Sequence, residues 1–238
     1  MKDFFVIFFV AVFLCSCHKK NNLKEVDFGY DYYPLEIGKF VVYNVDSIVY
    51  NEFTFKAKTY KYQIKEKIEG QFIDSEGKVA FRLARYIKKY DSSKVYSVLP
   101  WVIKDVWQVN ASKTSIEVVE ENVRFTKLIF PIKISETWNG NSKNYLEEWD
   151  YKYTYTNNGE KIGSIYFENV LLVTQKSFRP KILWQKYLEK YSKNVGLVYK
   201  EVIDIKFPVT NESVPLDSIK DKQGVVLKME LVSFGKEN

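Results

Sequence analysis

The chain has 238 residues, with 36 Lys and Arg against 30 Asp and Glu, for a net charge of +6, and 17% of its residues are aromatic. That much apolar and aromatic material can bury a substantial core, which excludes a disordered chain, and the modest basic excess is too small and too dispersed for a nucleic-acid binder. One histidine and two cysteines, all within the first 18 residues, exclude from the rest of the chain His-based catalytic triads, Cys nucleophiles, disulfides and His/Cys metal sites.

Residues 4–14 (FFVIFFVAVFL) follow Lys2 as an unbroken apolar run. The run has the length of a signal-peptide core and is well short of the roughly 20 residues that span a bilayer. It ends in Leu14-Cys15-Ser16-Cys17, an aliphatic residue, a tolerant position, a small residue and a cysteine. This resembles the bacterial lipobox. The resemblance implies cleavage after Ser16, a diacylglyceryl thioether on Cys17 and acylation of the new amino terminus. Each buried methylene of such chains contributes about 0.8 kcal/mol, so several together give stable anchoring. Residues 1–16 are thus expected to be a lipoprotein signal peptide. Residues 17–29, whose HKKNNLKEVDFG stretch is polar and aperiodic, are expected to be the anchor and tether, and residues 30–238 a single β domain.

The folded part opens at Tyr33-Pro34-Leu35, with a glycine turn at Gly38 before a strand over 39–50. Apolar and polar residues then alternate with period two. Tyr60, Tyr62 and Ile64 share a face, as do Val79, Phe81 and Leu83. Ile116 and Val118 continue the pattern, followed by Val123, Phe125 and Lys127, then Tyr151, Tyr153 and Tyr155, and finally Leu227, Met229 and Leu231. GSIYFENVLLVTQ reads as a strand bulged near Glu168-Asn169, and YTYTNNGEKIGSIYF as a hairpin. Turns are expected at Glu69-Gly70, Glu76-Gly77, Asn139-Gly140-Asn141, Asn157-Asn158-Gly159 and Gln223-Gly224.

One segment departs from period two. Trp184, Tyr187, Leu188 and Tyr191 fall at i, i+3, i+4 and i+7, between Pro180 and Gly196. The spacing predicts one helix near 181–192, with a strand as its rival, and a shorter helical turn is expected near 135–138. The fold class is therefore mainly β: a single antiparallel sheet of nine or more strands, strongly curved or partly closed, with that helix able to plug its concave side.

Several short motifs converge on a known pattern: Tyr32-Tyr33-Pro34-Leu35 with Gly38, Leu128-Ile129-Phe130-Pro131, Thr137-Trp138-Asn139-Gly140-Asn141, and Tyr191 followed by Val195-Gly196-Leu197-Val198-Tyr199. In these the chain resembles the uncharacterised outer-membrane lipoproteins abundant in Bacteroidota. Val41 departs from the family's usual Trp. The resemblance implies a curved sheet similar in outline to periplasmic lipoprotein carriers, and it carries over no catalytic residue. His18, where enterobacterial lipoproteins retained in the inner membrane carry Asp, points to the outer membrane. The lack of an acidic cluster after it points to a periplasm-facing orientation.

Candidate chemistry is sparse. Glu147, Glu148 and Asp150 around Trp149, and the Glu120-Glu121 pair, have the residue types of a glycan hydrolase. Sequence neighbours on a strand point to opposite faces, however, and charges near turns are ordinarily solvated. Among the five tryptophans, Trp101, Trp107 and Trp149 are the candidate contacts for a ligand or partner. PWVIKDVW reads as a loop lip with exposed apolar surface. The sequence thus points to a non-catalytic, lipid-anchored envelope protein without cofactor or metal, held to the membrane through Cys17. It would bind a hydrophobic ligand or an envelope protein, or serve as an accessory subunit of an outer-membrane complex.

Overall fold

The structure, a computed structural model, describes residues 26–90, 93–208 and 220–237. The expected signal peptide, Cys17 and His18 lie outside these residues. Twelve strands follow one another: β1 (Lys39–Tyr50), β2 (Ala57–Ile73), β3 (Val79–Lys89), β4 (Val102–Ala111), β5 (Ser115–Glu120) and β6 (Val123–Ile129), then β7 (Thr137–Asn139), β8 (Asp150–Ile162), β9 (Ile165–Phe178), β10 (Leu183–Ser192), β11 (Gly196–Lys206) and β12 (Gln223–Lys236). All belong to one antiparallel sheet in the order β6-β5-β4-β3-β2-β1-β12-β11-β10-β9-β8-β7. Two meanders thus meet where β1 pairs with β12, from Lys39 opposite Lys236 to Tyr50 opposite Gly224.

The sheet curls until its two edges, β6 and β7, face each other, nearly closing a barrel. A seam replaces the missing ladder. Thr126 N–H donates to the Gly140 carbonyl at 2.9 Å, and the Trp138 indole N–H donates to the Thr126 carbonyl at 2.8 Å. The Tyr153 hydroxyl donates to the Ile129 carbonyl at 2.7 Å and accepts from its N–H at 2.8 Å. Edge groups that would otherwise invite another strand are thereby satisfied within the chain.

Period two governs what the barrel encloses. Tyr43, Val45, Ile64, Leu171, Tyr191 and Leu231 are almost wholly buried, and the tyrosine face of β8 (Tyr151 and Tyr153) turns inward as its alternation requires. Gly38 has φ +87°, and a Cβ there would lie 2.0 Å from the Glu237 carbonyl oxygen, so only glycine fits the entrance to β1.

Several expectations are corrected. Residues 181–192 form strand β10, from Leu183, and not a helix. Its inward residues Tyr187, Glu189 and Tyr191 do alternate, but Glu189 is a charge where the sequence pattern calls for an apolar residue, which left helical spacing as the visible signal. Among the described residues no α-helix plugs the barrel, whose interior is lined by side chains of its own wall together with Tyr32 and Tyr33 from the segment before β1. Near 135–138 the chain makes a turn with Ser135 at φ 67°, and β7 begins at Thr137. PWVIKDVW is no loop lip: β4 starts at Val102. Asn157-Asn158-Gly159 lies within β8, with Asn157 at φ 55° in an irregular stretch, and the hairpin turns at Gly163. Glu69-Gly70 is likewise internal to β2, where Glu69 is an extra residue between the Ile68–Leu83 and Gly70–Arg82 pairs. The bulge expected at Glu168-Asn169 is present, because Glu160 pairs with Phe167 and Asn158 with Val170.

Candidate functional site

The inward face carries charge at two places, and strand register creates both. Glu66 on β2 is directly opposite Arg85 on β3, which is opposite Asp105 on β4. Arg85 donates from Nε to Glu66 at 2.9 Å and from Nη1 to Asp105 at 3.1 Å, and its guanidinium lies 3.7 Å from the Trp107 ring centre. Burial alone would weaken the Arg85 charge, but the two carboxylates hold it firmly protonated.

The second cluster spans the barrel. Lys127, from edge strand β6, reaches Glu120 at 2.7 Å and Glu189 of β10 at 3.1 Å. Glu189 is also 3.1 Å from Lys200, its cross-strand partner on β11, and accepts from the Tyr191 hydroxyl at 2.6 Å. Glu189 is only 1% exposed. Its burial pushes its pKa up, yet Lys127, Lys200 and the Tyr191 hydroxyl together bring it down to about 2. Burial likewise opposes the Lys127 charge, but Glu120 and Glu189 keep it well above the ordinary lysine value. Two lysines and two glutamates make this cluster electrically neutral.

Lys127 follows Phe125 in the inward phase of β6 and sits at a bulge: Ile116 pairs with Leu128 and Glu117 with Thr126, leaving Lys127 unpaired. Gln175 on β9 is a second case, between Thr174 opposite Leu188 and Lys176 opposite Tyr187. A bulge re-aims a side chain without ending the strand. Both residues are more than nine-tenths buried.

Two cavities adjoin the neutral cluster, which forms a wall shared by both through Glu120, Lys127 and Lys200. One, of about 170 Å³, lies among Tyr33, Tyr43, Glu66, Arg85, Trp107 and Tyr191. The other, of about 400 Å³, has Phe125, Trp149, Tyr151, Gln175, Tyr187 and Val202 in its walls, with the exposed Leu146 and Glu147 at its margin. The smaller space suits a few waters or a benzene-sized group, whereas the larger falls in the range of small-molecule sites. One lining residue of each carries a buried polar atom without a hydrogen-bond partner, the Trp107 indole nitrogen for the first and Gln175 Nε2 for the second.

The sequence candidates separate accordingly. Trp107 lines the smaller cavity and Trp149 the larger, where its ring meets Tyr187 edge to face at 4.8 Å. Trp101 lines neither; it precedes β4 with Lys88 Nζ 4.5 Å from its ring centre. Glu147, Glu148 and Asp150 are exposed, and Glu121 is exposed in the β5–β6 turn, while Glu120 is committed to Lys127. Sequence reading missed Glu66, Arg85, Gln175 and Glu189. The available signal was a polar residue in the apolar phase of a strand: Glu66 continues Tyr62 and Ile64, and Arg85 continues Phe81 and Leu83. Among the described residues no three His, Cys, Asp or Glu side chains gather as a metal site, and no helix is long and apolar enough to cross a membrane.

No family model matches the chain, and no curated protein matches it in sequence. Two solved structures are similar over 89% of this chain and 100% of their own. One is described as an exported protein with a YmcC-like fold from Bacteroides fragilis, at 10% identity and a TM-score of 0.43. The other is described as a lipoprotein from Parabacteroides distasonis, at 11% identity and a TM-score of 0.38.

Proposed function

We propose that this chain is a lipid-anchored protein of the bacterial envelope that binds a hydrophobic ligand inside its barrel and carries out no chemistry. The observation that carries the binding reading is the cavity of about 400 Å³ walled by Phe125, Trp149, Tyr151 and Tyr187. Burying an apolar ligand there gains about 25 cal/mol for each Å² removed from water. The anchor rests on the lipobox resemblance at Cys17, and His18-Lys19-Lys20, with neither Asp after the anchor nor an acidic cluster, supports an outer-membrane location facing the periplasm. The non-catalytic reading is supported by the commitment of the buried carboxylates to Arg85, Lys127 and Lys200, which leaves them ion-paired and not poised as acid and base.

The binding reading is tested with N-phenyl-1-naphthylamine, an uncharged dye that brightens in apolar surroundings, titrated into residues 18–238. Saturable binding at one dye per chain is expected, and Val202→Trp, which fills the larger cavity, should weaken it at least tenfold. A linear, unsaturable response would contradict the reading. For the anchor, Cys17→Ala should abolish fatty-acid labelling, and unchanged labelling would remove the lipid assignment. Protease shaving of intact cells tests orientation, since rapid digestion from outside contradicts the inward-facing placement.

A second reading, an accessory subunit docked on another envelope protein, is favoured by the exposed start of β4. Val102 and Ile103 there are both more than half exposed, as are Val95 and Val98 in the segment before it.

A further inference from the structure

The end of the barrel where the described chain begins carries an exposed apolar patch that the fold holds in place. Phe28 and Tyr30 stack with ring centres 5.5 Å apart, and Tyr30 meets the buried Phe130 edge to face at 4.7 Å. The Ile132 N–H donates to the Phe28 carbonyl at 3.2 Å, and the Tyr30 hydroxyl donates to the Lys113 carbonyl at 3.0 Å. Both rings nonetheless remain more than two-fifths exposed. Val26, two residues before Phe28, and Ile134, two after Ile132, are more than half exposed. The charges around them balance: Asp27 and Asp31 are paired with Lys193, and the exposed Lys113 and Lys133 stand with the exposed Glu136. Nothing there repels an anionic surface, and the preceding residues 18–25 add Lys19, Lys20 and Lys24 against Glu25 alone.

The length of chain before the patch says what covers it. Val26 is nine residues beyond Cys17, so the patch lies within about 30 Å of the anchoring lipid even with the chain fully extended. From this end β1 runs twelve residues, roughly 40 Å, to the turn that carries Phe53. Contact between a patch so tethered and the bilayer is an intramolecular event, which makes even a weak apolar contact effective. Rings with a polar tip, such as Tyr30, settle at the headgroup level. Resting on the lipid-anchor reading above, we infer that this end of the barrel is a membrane-docking face: Val26, Phe28, Tyr30 and Ile134 enter the headgroup region of the bilayer that holds Cys17. They act as a second attachment, as stable anchoring by two signals requires. The β1–β2 turn and the exposed start of β4 lie at the opposite end of the antiparallel meander and stay clear of the lipid.

The test uses the full chain, processed in its own host and placed in nanodiscs of phosphatidylethanolamine and phosphatidylglycerol, with a doxyl-labelled phosphatidylcholine as quencher. Beyond Cys17 the sequence has no thiol, so Val26→Cys, Ile134→Cys and Phe53→Cys, all at exposed positions, each offer one site for the fluorophore bimane. The expected result is at least a twofold loss of bimane fluorescence at positions 26 and 134, with fluorescence at 53 unchanged. Phe28→Glu, combined with Ile134→Cys, should restore at least half of the lost signal while the protein stays on the disc. Equal quenching at 53 and 134 would overturn the inference, and so would a disc-bound protein unquenched at both 26 and 134. Quenching that Phe28→Glu leaves unchanged would also overturn it. Uptake of bimane by the unsubstituted parent would show an unmodified Cys17, which removes the anchor reading itself and the docking face with it.

Discussion

Glu189→Gln isolates the energetic role of the trans-barrel charge cluster. The substitution keeps the shape and an acceptor for the Tyr191 hydroxyl, and it leaves Lys127 paired with Glu120, but it strips Lys200 of its carboxylate. In the folded protein the Glu189 pKa is about 2 against an ordinary 4.5. Each pH unit between the two values is worth about 1.4 kcal/mol, so the ionised group stabilises the fold by about 3 kcal/mol at pH 7. The low end of the range for removing one partner of a buried pair is also about 3 kcal/mol. Because the folded value lies below the unfolded one, this stabilisation is complete above about pH 5 and is lost as pH falls through the carboxylate range toward 2. The difference between the parent and the Gln variant should therefore shrink to about half by pH 3. Urea unfolding followed by tryptophan fluorescence at pH 7, 5, 4 and 3 measures it. A variant as stable as the parent at pH 7, or a deficit that does not change with pH, would refute this account of the cluster.

Three further outcomes follow from the seam, the other ionic group and an exposed ion pair. Tyr153→Phe removes both side-chain hydrogen bonds to Ile129 across the open edge. It should cost about 1–3 kcal/mol and accelerate exchange of the Ile129 amide while leaving β1 amides unchanged, as amide exchange by NMR would show. Arg85→Met removes the partner of buried Glu66 and leaves Asp105 only its pair with Lys104. Denaturant unfolding should show a loss of about 3–5 kcal/mol at pH 7, and a variant as stable as the parent would contradict the pairing. Lys78→Met, which removes the exposed pair with Glu76, should change stability by less than about 0.5 kcal/mol.

The sheet was legible where inward residues are apolar and the register is unbroken. Tyr151 and Tyr153, or Leu227, Met229 and Leu231, announce one buried face of a strand directly, and the Glu168-Asn169 bulge shows as two polar residues interrupting an apolar run. Legibility failed where the barrel turns charge inward. Glu189 inside β10 broke the alternation, and the remaining aromatics happened to fall at helical spacing. Asn157-Asn158-Gly159 carries the composition of a tight turn, yet β8 absorbs it as an irregularity with Asn157 in the left-handed region. The site was harder still. Trp107 and Trp149 stood out by residue type and Lys127 by its alternation with Phe125, but Gln175 has no such signature, and the bulges at Lys127 and Gln175 depend on the register each strand takes with its hairpin neighbour. The partnership of Lys127 with Glu189, 62 residues apart, follows from barrel closure and has no local signature.

The central claim, that the barrel holds a hydrophobic ligand, is tested most directly by native mass spectrometry of the protein purified from the membranes of its own host, before and after extraction with organic solvent. The account predicts one non-covalent adduct of lipid mass per chain, removed by the solvent and recovered as a hydrophobic compound. A chain that emerges from those membranes with no adduct, its mass unchanged by extraction, would contradict it.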